Sequence, residues 1–245
     1  MKLEKEAIHL LRSLRVPILL VVILWAIHLA KVIWKLNLGQ YGIFPRALDG
    51  LKGIFLSPFI HGDFQHLFSN SFPVFFLTFM IVYFYRKISV PSIVLIYLLT
   101  GFSVWLFGRE VYHIGASGVA YGMVSFVFWS GLFRRNGRSI VLALVVLFLY
   151  QGYFLGIMPN QEGISWESHL LGAIAGIIVS AIFKGVEEDG EVDKRMLEDS
   201  EEQEQFYLPR DTFDKTKAQR AWEAEQIRIA EQQAREGWNT DTTFN

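Results

Sequence analysis

Residues 115–133 read GASGVAYGMVSFVFWSGLF. The run is nearly as long as the ~20 helical residues that cross a bilayer, and it opens on a serine held between glycines. Gly118 and Gly122 stand four apart, the interval at which small residues let two membrane helices touch. Taken alone, Ser117 in that setting is a packing residue. Whether it is also a nucleophile depends on what the rest of the chain brings to the same depth.

Five further runs have comparable length: Val16–Trp34, Phe64–Tyr85, Val90–Phe107, Ser139–Ile157 and Trp166–Phe183. The 245-residue chain is 52% hydrophobic and 15% aromatic, with a mean hydropathy of +0.30, which is high for a soluble domain. The expected fold is an all-α membrane protein: a six-transmembrane-helix bundle over residues 1–184 and a polar, partly helical tail over 185–245. The first run is long and no small-residue cleavage site follows it, so it reads as a retained helix rather than a signal peptide.

The formal charge of −1 hides an asymmetry. Up to Lys184 there are 15 Lys and Arg against 7 Asp and Glu; from Gly185 onward the counts are 8 and 17. Lys2, Lys5, Arg12 and Arg15 precede the first run, Arg86 and Lys87 follow the second, and Arg134, Arg135 and Arg138 separate the fourth from the fifth. Lys184 follows the sixth. The longer loops on the other side carry only Lys35, Arg46, Lys52 and Arg109. Basic loops stay on the cytoplasmic side. Both termini are therefore expected in the cytoplasm, with loops 35–63, 108–116 and 158–165 outside, in a setting such as the bacterial cell membrane. No nucleic-acid partner is expected. With no cysteine, disulfides, thiol catalysis and cysteine metal sites are excluded.

In the tail, Glu187–Glu204 is acidic and reads as solvated or disordered. A helix is expected over about 212–236, capped by Asp211 and stopped at Gly237. Its apolar stripe (Ala218, Ala221, Trp222, Ile229) is narrow. It suits a solvated helix or one that docks on the body or a cytoplasmic partner.

Polar groups inside membrane spans are costly, so each raises a functional question. In HGDFQHLFSN, residues 61–70, His66 and Asn70 share one helix face, and His61 precedes them in the loop or first turn. Ser117 begins the fourth run and Tyr121 lies one turn deeper on the same face. In SWESHLLGAIAG, residues 165–176, His169 sits about a turn inside the sixth run, ahead of Gly172 and Gly176. All these groups fall at the outer ends of their helices. His28, His113 and His9 read respectively as a satisfied helix histidine, a loop residue and a cytoplasmic residue.

A serine hydroxyl needs a base within hydrogen-bond reach, and His169 is the candidate. Acyl transfer also needs donors aimed at the developing oxyanion. The Ser117 backbone N–H, unpaired in a first helical turn, and the side chains of His66 and Asn70 are available for this. The flanking glycines permit close approach of backbone and substrate. Neither Asp63 nor Glu167 is spaced as a third member, so the set reads as a dyad. No zinc motif or intramembrane aspartate pair occurs, and metal binding by His61, His66 and His169 is set aside.

His61-x4-His66-x3-Asn70, Gly115-Ala116-Ser117-Gly118 with Tyr121, and His169-x2-Gly172-x3-Gly176 together resemble the rhomboid family of intramembrane serine proteases. The resemblance covers about residues 10–184. It implies Ser117 as nucleophile and His169 as general base, then acid. His66 and Asn70 become oxyanion donors, Tyr121 packs on His169, His61 supports a water-filled cavity, and Gly115 and Gly118 are supporting residues that let backbone and substrate approach closely. It implies no metal or cofactor. The implied substrates are single-pass transmembrane proteins cut near the outer membrane face. Segment 158–168 becomes a cap and the end of the fifth helix a lateral gate. One departure is visible: many members carry Trp-Arg where this chain has Lys52-Gly53. The rival class is a non-catalytic scaffold of the same fold that holds client transmembrane helices.

Overall fold

The computed structural model describes residues 2–159, 165–188 and 214–240. The chain divides into two compact units, Met1–Glu191 and Val192–Asn245.

Helix α1 spans Lys2–Ile33 with Pro17 inside it. It begins well before Val16, where the first span was expected. Residues 2–15 are dominated by Leu, Lys, Arg and Glu, which extend a helix readily. A loop of short turns follows: Gly39–Tyr41, Leu48–Leu51, the short helix α2 (Lys52–Leu56) and Ser57–Phe59. At the Lys52-Gly53 departure, Gly53 abuts the Gly42 backbone and the Lys52 ammonium stands 5.2 Å above the Tyr41 ring.

Helix α3, Phe64–Phe84, is capped by Asp63, whose carboxylate accepts from the His66 N–H at 2.8 Å. Then come α4 (Ser89–Phe107), α5 (Ser117–Arg134), α6 (Gly137–Leu149), α7 (Tyr153–Gly156) and α8 (Trp166–Ile182). The fifth expected span, 139–157, is not one helix. It breaks at Tyr150–Gly152 between α6 and α7, where Gln151-Gly152 interrupts the apolar run and glycine disfavours helix continuation. Glu6–Ile33, Phe64–Phe84 and Ser89–Phe107 are long and apolar enough to cross a membrane; Gly137–Leu149 and Trp166–Ile182 are apolar but shorter.

Helix α5 is the hub, packing against α8, α6, α4 and α3, while α1 lies along α3. The core joins Leu77, Ile81, Ile96, Met123, Phe126 and Val179. Outside it the usual polarity is inverted. Leu11, Leu19, Ile33 and Phe148 are among many large apolar side chains left exposed, as suits helices solvated by lipid rather than water. The α5–α8 crossing is made of backbone: a Cβ on Gly172 would strike the Gly118 carbonyl, and one on Gly176 the Gly122 carbonyl. Small residues at i and i+4 on both helices permit this contact.

In the second unit, α9 spans Lys217–Thr240. It starts later than 212 and runs through Gly237. The start is set by a reciprocal cap: the Gln219 side chain accepts from the Thr216 N–H at 2.8 Å, and the Thr216 hydroxyl accepts from the Gln219 N–H at 3.4 Å. A single glycine costs a helix only about 1 kcal/mol, too little to end it. Asp211 and most of the acidic run lie outside the described residues.

Candidate active site

Three helices begin at the same end of the first unit. Ser117 is the first residue of α5, His66 lies in the first turn of α3 and His169 in the first turn of α8. Three N-termini, each a positive dipole end, therefore converge on one place.

There the Ser117 hydroxyl lies 2.8 Å from His169 Nε2. On the opposite edge of the ring, His169 Nδ1 lies 2.8 Å from the Gly156 carbonyl. A carbonyl only accepts, so Nδ1 carries the proton of the neutral ring and Nε2 presents its lone pair to Ser117. The Tyr121 ring stacks on the imidazole, with centroids 4.1 Å apart and planes within 7°. Tyr153 lies beyond Tyr121, tilted by 33° with centroids 4.2 Å apart. Buried Gly172 and Gly176 hold α8 against α5, which fixes how closely the two helices cross.

His66 and Asn70 face the loop that delivers Ser117. Gly115 adopts φ +101, and a Cβ there would lie 2.6 Å from His66 Nε2 and 3.7 Å from Asn70 Nδ2. A glycine is required both for that backbone conformation and for that proximity. The Gly62 N–H points to His66 Nδ1 at 3.5 Å, which leaves Nε2 as the protonated nitrogen on the Gly115 side. Asn70 also donates to the His66 carbonyl at 3.0 Å, anchoring its amide. His61 is 1% exposed and meets His66 edge to face at 5.0 Å. Burial, reinforced by nearby His66 and His28, pushes His61 down to about 4. The His66 N–H holds the Asp63 carboxyl below its usual range.

Several contributors carry no signal legible in sequence. Lys31, from α1, donates to the His61 and Gly62 carbonyls at 2.7 and 2.6 Å, fixing the lead into α3. Gly156 acts through a backbone carbonyl. His113, expected as a plain loop residue, is 3% exposed and bonded on both ring nitrogens. Burial holds it below the usual histidine range. His28 is buried edge-on to Phe64 at 4.7 Å. Glu167 pairs with Arg109 at 3.2 Å and Asp63 caps α3, so neither carboxylate is hydrogen-bonded to the His169 ring. Among the described residues no group of three His, Cys, Asp or Glu is arranged to hold a metal ion. Behind Tyr121, between α5, α6 and α8, lies an apolar cavity of about 210 Å³ lined by Trp129, Tyr150, Tyr153 and Ile177 among others.

Residues 49–185 match the Rhomboid domain family. An uncharacterized protein of Mycobacterium tuberculosis is 35% identical over 184 residues, covering 71% of this chain and 77% of its own length. One from Mycobacterium leprae is 32% identical over 174 residues, 67% of this chain and 69% of its own. A protein of Acanthamoeba polyphaga mimivirus that is named as a rhomboid protein is 31% identical over 134 residues, 51% of this chain and 71% of its own. A family match over more than half the chain coincides with an apolar helical bundle in which Ser117, His169, His66 and Asn70 meet at one end: this is a multi-pass membrane protein and a member of the rhomboid family.

Proposed function

We propose that the chain is an intramembrane serine endopeptidase that cuts transmembrane segments near the outer membrane face through a Ser117–His169 dyad. The observation that carries the reading is the 2.8 Å contact from Ser117 to a ring nitrogen whose partner nitrogen is occupied by the Gly156 carbonyl. The ring is thereby held in the tautomer a general base needs.

In the proposed reaction the Ser117 oxygen attacks the scissile carbonyl carbon while its proton passes to His169 Nε2. The new oxyanion is met by the Ser117 backbone N–H, His66 Nε2–H and Asn70 Nδ2–H. Three helix N-termini add a favourable field there. Collapse breaks the C–N bond, and the imidazolium returns its proton to the leaving amine. Water, deprotonated by His169, then attacks the acyl carbon; the ester C–O bond breaks, the carboxylic acid product leaves, and the imidazolium returns the proton to the Ser117 oxygen. Each half-reaction is neutral in protons, and neither calls on a metal or organic cofactor.

Water is the second reactant, so the site must be wet, and a substrate helix must open to expose a carbonyl. The proposed topology has six spans with both termini cytoplasmic and the loops around the site outside, in a bacterial cell membrane. Residues 1–184 form the protease body and 185–245 a cytoplasmic tail open to a partner. Single-spanning proteins with helix-weakening residues near the outer interface are the proposed substrates. They enter beside α7, at the end of the fifth expected span, and beneath segment 158–168, of which 160–164 lie outside the described residues.

The test is cleavage of a model single-span substrate by the purified chain, beside Ser117→Ala and His169→Ala and with fluorophosphonate labelling of Ser117. Cleavage lost in both variants supports the dyad; undiminished cleavage in either removes it. A chain that neither labels nor cleaves yet retains the substrate in a stable complex is the non-catalytic scaffold instead.

A further inference from the structure

Four residues before Ser117 stands His113, and four residues before His169 stands Ser165. These two are also joined: His113 Nδ1 lies 2.5 Å from the Ser165 hydroxyl, which lies 2.6 Å from that of Ser168. His113 Nε2 lies 3.0 Å from the Arg109 carbonyl. The carbonyl only accepts, so Nε2–H is the donor there and Nδ1 accepts from Ser165. The Ser165 oxygen then accepts from Ser168, giving one directed chain, Ser168 to Ser165 to His113 to Arg109.

Beside it, Arg109 Nε pairs with Glu167 Oε1 at 3.2 Å, with the Glu167 side chain 9% exposed. Both connections join the same two elements, loop 108–116 before Ser117 and the first turn of α8 before His169. Ser165 occupies the N-cap position of α8, yet its side chain makes no capping bond. A serine there would ordinarily satisfy a first-turn N–H, worth about 1 kcal/mol. Its hydroxyl is instead turned to His113. Such a break with local preference marks a place where another demand prevails.

We propose that His113, Ser165 and Ser168, with the Arg109–Glu167 pair, are positioning residues that form a latch one step outside the dyad and set the separation of Ser117 from His169. The proposal rests on the dyad reading above. No latch residue touches the reacting atoms. The latch acts by fixing the approach of one polypeptide segment to the other. A small displacement of a nucleophile from its base reduces turnover steeply, while contacts that capture substrate away from the dyad are untouched.

The experiment measures kcat and KM for the full chain in detergent with a single-span substrate, for the unmodified protein, Ser165→Ala, His113→Phe, the double variant and His113→Asn. Ser165→Ala removes one oxygen only and so guards against a His113 variant that fails to fold. The latch predicts a roughly tenfold fall in kcat for each single change with KM within about twofold. It also predicts a double variant no worse than the worse single, and recovery of most of kcat in His113→Asn, whose amide oxygen accepts from Ser165. Unchanged kcat in Ser165→Ala, losses that multiply in the double variant, or losses confined to KM overturn it. An unmodified chain no faster than Ser117→Ala overturns the protease reading, a result distinct from active enzyme with indifferent latch variants.

Discussion

The Gly156 carbonyl sits 2.8 Å from His169 Nδ1, on the far side of the ring from Ser117. The place usually given to a carboxylate in a three-member site is taken by an uncharged, untitratable backbone oxygen. On the proposed mechanism it orients the ring and offsets part of the imidazolium charge. A side chain at Gly156 would run into the Tyr121 hydroxyl and come within 3.2 Å of His169 Nδ1. Gly156→Val is therefore expected to lower kcat by more than about tenfold, measured by substrate cleavage, with Ser117 labelling slowed in parallel.

Tyr121 contributes a flat face rather than a hydroxyl to the histidine, given the 7° interplanar angle. Stacks of this kind are worth about 0.5–1.5 kcal/mol beyond burial. Tyr121→Phe is expected to stay within about threefold of the unmodified rate, whereas Tyr121→Ala falls by about tenfold or more. Equal losses in the two variants would transfer the role to the hydroxyl.

The residues that meet at this end of the bundle were readable because polar groups are expensive in a membrane span. Ser117, His66, Asn70 and His169 stood out against an apolar background, and their position at the heads of runs two, four and six gave them a common depth. Gly118, Gly122, Gly172 and Gly176 were readable by spacing, and family membership followed from the same residues. What could not be read was carried by backbone or by loop geometry. Gly156 works through a carbonyl that every residue possesses. His113 reads as any loop histidine, because nothing in its local sequence announces the turn that buries it. The break at Tyr150–Gly152 and the late start of α9 at Lys217 depend on local capping and a single glycine, which an apolar-run reading smooths over.

The α5–α8 seam offers a stability test with an internal control. Gly172→Ala and Gly176→Ala each place a methyl against a backbone carbonyl that cannot rotate away. Overpacking of this kind costs about 1–3 kcal/mol. Both are expected to lower the unfolding temperature in detergent and to slow Ser117 labelling. Gly137→Ala, where a Cβ meets nothing within 4 Å, is expected to leave both unchanged.

His61 should make the fold sensitive to acid. Its folded value is depressed from 6.5 to about 4, so the neutral form is the one the native state holds. The associated stability is complete above about pH 6.5 and is withdrawn as pH falls through 6.5 toward 4. A shift of that size corresponds to roughly 3 kcal/mol. His61→Phe is expected to flatten the dependence of unfolding temperature on pH across this window. An unaltered acid limb would assign it to other groups.

Backbone-to-backbone contact along Gly118–Gly172 and Gly122–Gly176 leaves no compliant layer between the two helices that bear serine and histidine. A hinge there would need the helices to part and expose carbonyls to lipid. On the proposed function, then, the deformation required to reach the scissile bond falls on the incoming segment. Selection among clients would be governed by how cheaply a helix frays, and a stiff polyleucine span would pass the mouth of the site uncut.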